Sequence, residues 1–267
     1  MKFTFTSQTD PGRVRDNNED AVAFDESTRL CVLADGMGGY NAGEVASAMA
    51  IDLIVRDISR WLAEADIAGV KLNIRQAIAD AVDEANQAIL VAAQDKPDWA
   101  GMGTTLVVGL FKAGRLFLGH IGDSRCYRLR RGRLRQLTKD HTLLQEQLDA
   151  GLLSPMQAQT ATHRNLLTRA LGVQTQIYAE ITEHEVVPGD MYLLCSDGLT
   201  DMVGLKEIAK LLGLNLPLAQ RAERLIQAAN AHGGRDNVTV LLINVEAMPG
   251  ESGLVTRWFS TLSTIYR

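Results

Sequence analysis

Thr104-Thr105-Leu106-Val107-Val108-Gly109-Leu110-Phe111-Lys112-Ala113-Gly114-Arg115-Leu116-Phe117-Leu118-Gly119-His120-Ile121 holds two apolar runs on either side of a Lys-Ala-Gly turn. Val, Thr and Phe favour extended backbone, and a connection this short can only return the chain antiparallel. Arg115 to Leu118 is therefore expected to pair with Leu106 to Phe111 as a hairpin. Working outward, runs of the same kind predict strands at residues 3–6, 21–24, 30–34, 126–129, 191–195 and 238–245. Pro188-Gly189-Asp190 marks a further turn between elements.

Helical periodicity appears in two places. Ile51, Ile54, Ile58 and Trp61 form one apolar stripe, and Ile74, Ile78, Ala85 and Ile89 form another. Start signals predict later helices: Thr142 with Gln145 has capping-box spacing, Ser154 precedes Pro155 and Gln157, and Pro217 opens an amphipathic run that ends before Gly233. Strands thus come in clusters separated by helix pairs. That order is not a β-α-β alternation, so the reading is an α+β fold of stacked, mainly antiparallel sheets covered by helices. The domain is expected to span residues 1–246. Met248-Pro249-Gly250-Glu251-Ser252-Gly253 reads as a linker, so 247–267 is linker and short tail. Trp258, Phe259, Leu262 and Ile265 mark one apolar face in that tail, read as packed on the domain or partly disordered, with a partner or membrane contact as the alternative.

The 267 residues are 46% hydrophobic and 22% charged, the make-up of a soluble globular protein. Aromatics are only 5%, so the core must be aliphatic. A net charge of −5 provides no basic field for a phosphate backbone, which removes nucleic acid as a default partner. No apolar run approaches the roughly 18 residues of a transmembrane anchor. Met1 to Asp10 alternates polar and apolar residues and is not a secretory signal. Cys31, Cys126 and Cys195 each lie in an apolar stretch, as buried reduced thiols of a cytoplasmic protein would.

The chemistry lies in acidic residues at the ends of expected strands. Leu30 to Ala34 runs into Asp35-Gly36, and Tyr192 to Ser196 into Asp197-Gly198. Gly119 to Gly122 leads to Asp123, and Gly233-Gly234-Arg235 leads to Asp236-Asn237 before the closing strand. Each alone reads as a turn, since Asp-Gly is a common hairpin signal. Arg15-Asp16-Asn17-Asn18-Glu19-Asp20 alone reads as a solvated loop. Taken jointly they suggest convergence. Like charges about 4 Å apart cost roughly 4 kcal/mol per pair at an effective dielectric near 20, so such a cluster needs cations. All-oxygen ligation suits Mg²⁺ or Mn²⁺, whereas the histidines form no HxxxH pair and the cysteines no CxxC that would suit zinc. Gly38 to Gly43 continues with Glu44-Val45 and so lacks the Lys-Ser/Thr of a P-loop; no GxSxG elbow occurs, and no cysteine has Arg six positions later.

Read in order, GRVRDNNEDA (12–21), LADGMGGYNAGEVAS (33–47), GTT (103–105), GDSRCYRLR (122–130), KDH (139–141), RNLLTRALG (164–172), LLCSDGLTD (193–201) and GGRDNVTVLL (233–242) resemble the metal-dependent protein phosphatases of the 2C type, the PPM family, in a single-domain bacterial-like form. The resemblance implies a four-layer α-β-β-α sandwich with metals in a cleft at one edge. It implies two divalent ions, Mn²⁺ or Mg²⁺, that share an aspartate and hold a bridging water or hydroxide for in-line attack on phosphorus. By motif, Asp35 bridges both ions, Asp197 and Asp236 complete one site, and Glu19 with the Gly36 carbonyl completes the other. Asp123, with Asp197, matches a weaker third position. Asp20 and Asn237 match residues that orient those ligands, and Arg15 matches the arginine that holds the substrate phosphate. Residues 142–169 correspond to a variable flap beside the cleft.

The implied function is hydrolysis of phosphoserine and phosphothreonine in proteins, including a Ser/Thr kinase or its targets. The alternatives are a catalytically silent phosphoprotein-binding module on the same fold and a small-molecule phosphomonoesterase. One position departs from part of the family: Met37 follows Asp35-Gly36 where some members carry a histidine able to protonate the leaving alkoxide. Unless His120, His141 or His163 replaces it, the proton must come from a metal-bound water or solvent, and each of the three is read as structural.

Overall fold

The computed structural model describes residues 1–38, 42–68, 72–158 and 165–248. The tail with Trp258, Phe259, Leu262 and Ile265, the Gly39-Tyr40-Asn41 segment, and His163 lie outside the described residues.

The strands in chain order are β1 (Lys2–Asp10), β2 (Asp20–Asp25), β3 (Leu30–Met37), β4 (Gly103–Thr104), β5 (Leu106–Lys112), β6 (Arg115–Ile121), β7 (Arg125–Arg130), β8 (Arg133–Gln136), β9 (Glu180–Glu185), β10 (Met191–Cys195) and β11 (Val238–Glu246). One sheet has the order β1-β11-β10-β7-β8, and the other β2-β3-β5-β6-β9 with β4 on β3. Every pairing is antiparallel, including the expected hairpin, where Leu106 faces Ile121 and Lys112 faces Arg115. The helices are α1 (Gly43–Ala68), α2 (Ile74–Asp95), α3 (Leu143–Asp149), α4 (Pro155–Ala158), α5 (Asp197–Thr200), α6 (Leu205–Leu212) and α7 (Leu218–Ala231). The capping signals act as expected: the Thr142 hydroxyl accepts from the Gln145 N–H at 3.2 Å, and the Ser154 hydroxyl from the Gln157 N–H at 3.3 Å.

Period-two alternation builds three apolar layers, because strands sandwiched between helices and another sheet bury both faces. Leu30, Val32 and Ala34 of β3 join Leu106 and Val108 of β5 against the stripes of α1 and α2. Cys31 and Leu33 point the other way and meet Tyr192 and Leu194 of β10 and Leu241 and Ile243 of β11 between the sheets. Leu193, Val240 and Leu242 pack under α6 and α7. Four layers, α-β-β-α, follow directly. All three cysteines are buried and free.

Strands β8 and β9 and helix α6 carry no expectation from the sequence. Both strands lie at sheet edges, where one side is solvated, so Arg133-Leu134-Arg135-Gln136 and Glu180-Ile181-Thr182-Glu183-His184-Glu185 lack an apolar run. α6 spans only eight residues, and its apolar stripe of Ile208, Leu211 and Leu212 is too short to stand out from the surrounding sequence.

Candidate active site

Asp35 and Gly36 are not a turn. They lie inside β3, with Asp35 opposite Asp20 and Gly36 opposite Thr104. The Asp35 backbone is clamped on both sides: its N–H donates to the Thr105 hydroxyl at 3.0 Å, and its carbonyl accepts from the Thr105 N–H and the Thr104 hydroxyl, both at 2.9 Å. That is the structural use of the GTT motif. Only glycine fits after it, because a Cβ on Gly36 would collide with the Gly43 and Glu19 carbonyl oxygens. Asp197 likewise opens a short helix, α5, instead of a hairpin, and a Cβ on Gly198 would strike the Asn237 carbonyl.

Asp123 stands in the turn between β6 and β7, and Asp236 directly before β11. The two sheets present these ends on one side. A cavity of about 540 Å³ is lined by Arg15, Glu19, Asp35, Gly36, Asp123, Asp197 and Asp236, together with Met37, Thr105 and Asn165 to Leu167. Seven expected site residues therefore meet there.

Asp20 and Asn237 stand behind them. The Asn237 side chain accepts from the Glu19 N–H at 2.8 Å and donates to the Pro11 and Asn17 carbonyls at 3.1 and 2.8 Å, pinning the Glu19 loop to the start of β11. Asp20 accepts from the Ser196 hydroxyl at 2.8 Å, which joins the two sheets beside Asp197. Asn237→Ala would leave one buried donor and two carbonyls unpaired; a stability loss of about 2–3 kcal/mol in urea unfolding is expected.

The electrostatics are one-sided. Burial, and then the negative charges of Asp20, Asp197, Asp123 and Asp236, hold the Asp35 carboxyl well above its ordinary range. Burial and the charges of Asp123, Asp201, Asp236 and Asp20 do the same to Asp197. Burial pushes Asp20 and Asp123 up to about 6 and raises Glu19. Against this, Arg15 is the one cation lining the cavity among the described residues; its guanidinium donates to Asp236 at 2.9 Å and stays half exposed at the mouth. Asp20 Oδ1 is buried without a hydrogen-bond partner. Clustered carboxylates with an orphaned oxygen behind them fit hard divalent cations bound through oxygen.

Asn165 carries no role in the sequence reading, although it lies in the RNLLTRALG motif. Its amide donates to Asp197 at 3.3 Å and to Asp201 at 2.9 Å, and so ties the flap to the cavity wall. The flap base is fixed by Leu143 N–H to the Leu166 carbonyl and Thr168 N–H to the His141 carbonyl, both at 2.9 Å.

No described histidine lines the cavity. His120, His141 and Glu180 bring donor atoms within 4.8 Å of one another. The two rings, however, stack 4.6 Å apart at 15°, and nearly parallel rings cannot both aim an in-plane lone pair at one ion. His141 Nδ1 instead accepts from the Gly122 N–H at 3.2 Å, and burial lowers its pKa to about 4. It is a neutral strut under the turn that carries Asp123.

The family model described as Protein phosphatase 2C matches residues 12–242. Serine/threonine protein phosphatase PstP of Mycobacterium tuberculosis is 43% identical over 246 residues, covering 92% of this chain and 45% of that relative. The chain thus spans under half the length of that protein. Serine/threonine phosphatase stp of Listeria monocytogenes is 38% identical over 239 residues, covering 88% of this chain and 93% of the relative. The crystal structure of the PstP catalytic domain in complex with two manganese ions aligns with a TM-score of 0.79 at 41% identity, covering 92% of this chain and 99% of that one.

Proposed function

Since this chain belongs to the protein phosphatase 2C family, we propose that it is a metal-dependent protein serine/threonine phosphatase that hydrolyses phosphoserine and phosphothreonine in protein substrates. The observation that carries this reading is the convergence of Glu19, Asp35, Asp123, Asp197 and Asp236 on one cavity with Arg15 at its mouth. Residues 1–246 form the phosphatase domain, with 247–267 as linker and tail.

Asp35 is assigned to both of two ions, Asp197 and Asp236 to one, and Glu19 with the Gly36 carbonyl to the other; Asp123 with Asp197 would hold a weaker third. Mn²⁺ and Mg²⁺ both suit these donors, and the manganese-bound relative favours the former. When bound, such ions supply positive charge and an acidified water as nucleophile. The chain supplies the rest. Arg15 can take two phosphate oxygens on one guanidinium, and its ion pair with Asp236 holds that group at the mouth before substrate arrives. Asn237 fixes Glu19, Asp20 backs Asp35, and Thr104 and Thr105 hold the Asp35 backbone. Met37 lines the cavity and its thioether carries no proton to give, so it does not serve as general acid to the leaving alkoxide. A Ser/Thr kinase or its targets as substrates is assigned on the family alone, and a cytoplasmic location on the three buried, free cysteines.

The test is hydrolysis of p-nitrophenyl phosphate and of a phosphothreonine peptide with Mn²⁺ and with chelator. Turnover of both, abolished by chelator, is expected. Activity that survives chelation rejects the metal-dependent reading. Peptide inertness with good metal binding indicates a silent phosphoprotein-binding module, and turnover of small esters alone a small-molecule enzyme. Arg15→Ala is expected to lower kcat/KM for the peptide about a hundredfold, through loss of a charged bidentate contact.

A further inference from the structure

Away from the cleft, the β7–β8 hairpin concentrates positive charge on a chain of net charge −5. Register places Arg128 opposite Arg135 and Arg130 opposite Arg133. Directly opposed residues of an antiparallel pair share a face, so these are two like-charge cross-strand pairs, an arrangement that destabilises a hairpin unless an anion lies between them. Arg131 adds a fifth guanidinium from the turn, at φ 52°. Together with Leu134 the five arginines line a cavity of about 680 Å³.

Among the described residues, a carboxylate of the chain meets Arg130 and leaves the other four without one. Arg130 is held by Asp190 at 2.6 and 2.7 Å, and its other neighbour is Glu185, whose carbonyl it also meets at 2.9 Å. Arg128, Arg131, Arg133 and Arg135 have no carboxylate partner among the described residues. Arg128 Nε is buried with no hydrogen-bond acceptor. His184, on β9 beside this face, is held below its ordinary pKa first by burial and then by Arg128, Arg135 and Arg115.

A buried orphan N–H, opposed guanidiniums and a concave wall call for a compact acceptor of several hydrogen bonds. Phosphate is such a group, since each guanidinium fork matches two of its oxygens. The adjacent backbone selects the carrier: among the described residues β8 is the outermost strand of its sheet and pairs on one side with β7, so its other edge can hydrogen-bond an extended peptide. A long polyanion such as nucleic acid would meet the acidic remainder of the chain. We propose that the β7–β8 hairpin is a docking site for a phosphorylated segment of a protein partner, its phosphate held by Arg128, Arg133 and Arg135 and its backbone by the edge of β8.

The site uses none of the cleft residues, so its test is separable from that of catalysis. Arg133→Ser/Arg135→Ser replaces two exposed side chains, and Arg133→Lys/Arg135→Lys keeps their charge. Fluorescence anisotropy on the Mn²⁺-loaded protein would follow a labelled peptide bearing two phosphatase-resistant phosphonate analogues of phosphoserine. The serine variant is expected to bind it about tenfold more weakly, the lysine variant to fall between, and kcat/KM for p-nitrophenyl phosphate to stay within about twofold. Unchanged peptide affinity overturns the proposal. So does an equal loss for a peptide with plain serines, or a loss seen only with phosphatidylglycerol vesicles. Tight peptide binding that the serine variant loses, in a wild-type protein that fails to hydrolyse p-nitrophenyl phosphate, would sink the hydrolytic reading and leave the docking site standing.

Discussion

Asp35→Asn is expected to lower kcat/KM by roughly a thousandfold or more, about 4 kcal/mol of transition-state stabilisation, and yet to make the metal-free protein more stable. Both effects come from one charge. Asp35 is the acid on which Asp20, Asp197, Asp123 and Asp236 all act, and the one assigned to both ions. The amide is nearly isosteric, so the clamp by Thr104 and Thr105 persists while the anionic ligand is lost. Without metal the charge is only a liability. Because burial and like charges raise the folded pKa above the unfolded one of about 4, the native state binds more protons than the unfolded chain, and stability falls as pH rises from about 4 through the folded value. Asparagine has no such dependence. In chelator, the gain in melting temperature over wild type should be near zero at pH 4 and grow to a few degrees at pH 7.5, since about 1 kcal/mol moves Tm by 2–4 °C in a domain of this size. A variant less stable than wild type in chelator at pH 7.5 would show that Asp35 is not under electrostatic stress.

Mn²⁺ should produce the second large effect, on stability. One site held at a hundred times its Kd contributes about 2.7 kcal/mol, so two sites give roughly 5 kcal/mol, or 10 °C and more in Tm. Metal binding requires ionised carboxylates, and burial holds the Asp20 and Asp123 protons up to about pH 6. The Tm difference between Mn²⁺ and chelator should therefore be large at pH 8 and small near pH 5, opposite in slope to the metal-free protein. Scanning calorimetry in both conditions reads it directly. An unchanged Tm at pH 8, or an equal shift in Asp35→Asn, would exclude the assigned ligands as the source.

The sequence by itself determined the layers. The continuous apolar runs Leu30 to Ala34, Leu106 to Phe111 and Met191 to Cys195 are a local property of the chain and mark strands covered on both faces, while the stripes of α1 and α2 mark helices covered on one. It also marked every acid that lines the cavity. Edge strands β8 and β9 escaped because solvated edges carry no apolar signature, and Asn165 escaped because a flap residue hydrogen-bonded to a distant aspartate leaves no local pattern. Only the tertiary structure decided that Asp35-Gly36 is strand and Asp197-Gly198 helix instead of two turns, that Asn237 reaches Glu19 across 218 residues, and that Arg128 faces Arg135. Those outcomes depend on strand register and on how two sheets stack. Both are set by the joint burial of side chains far apart in the chain, which no window of sequence contains.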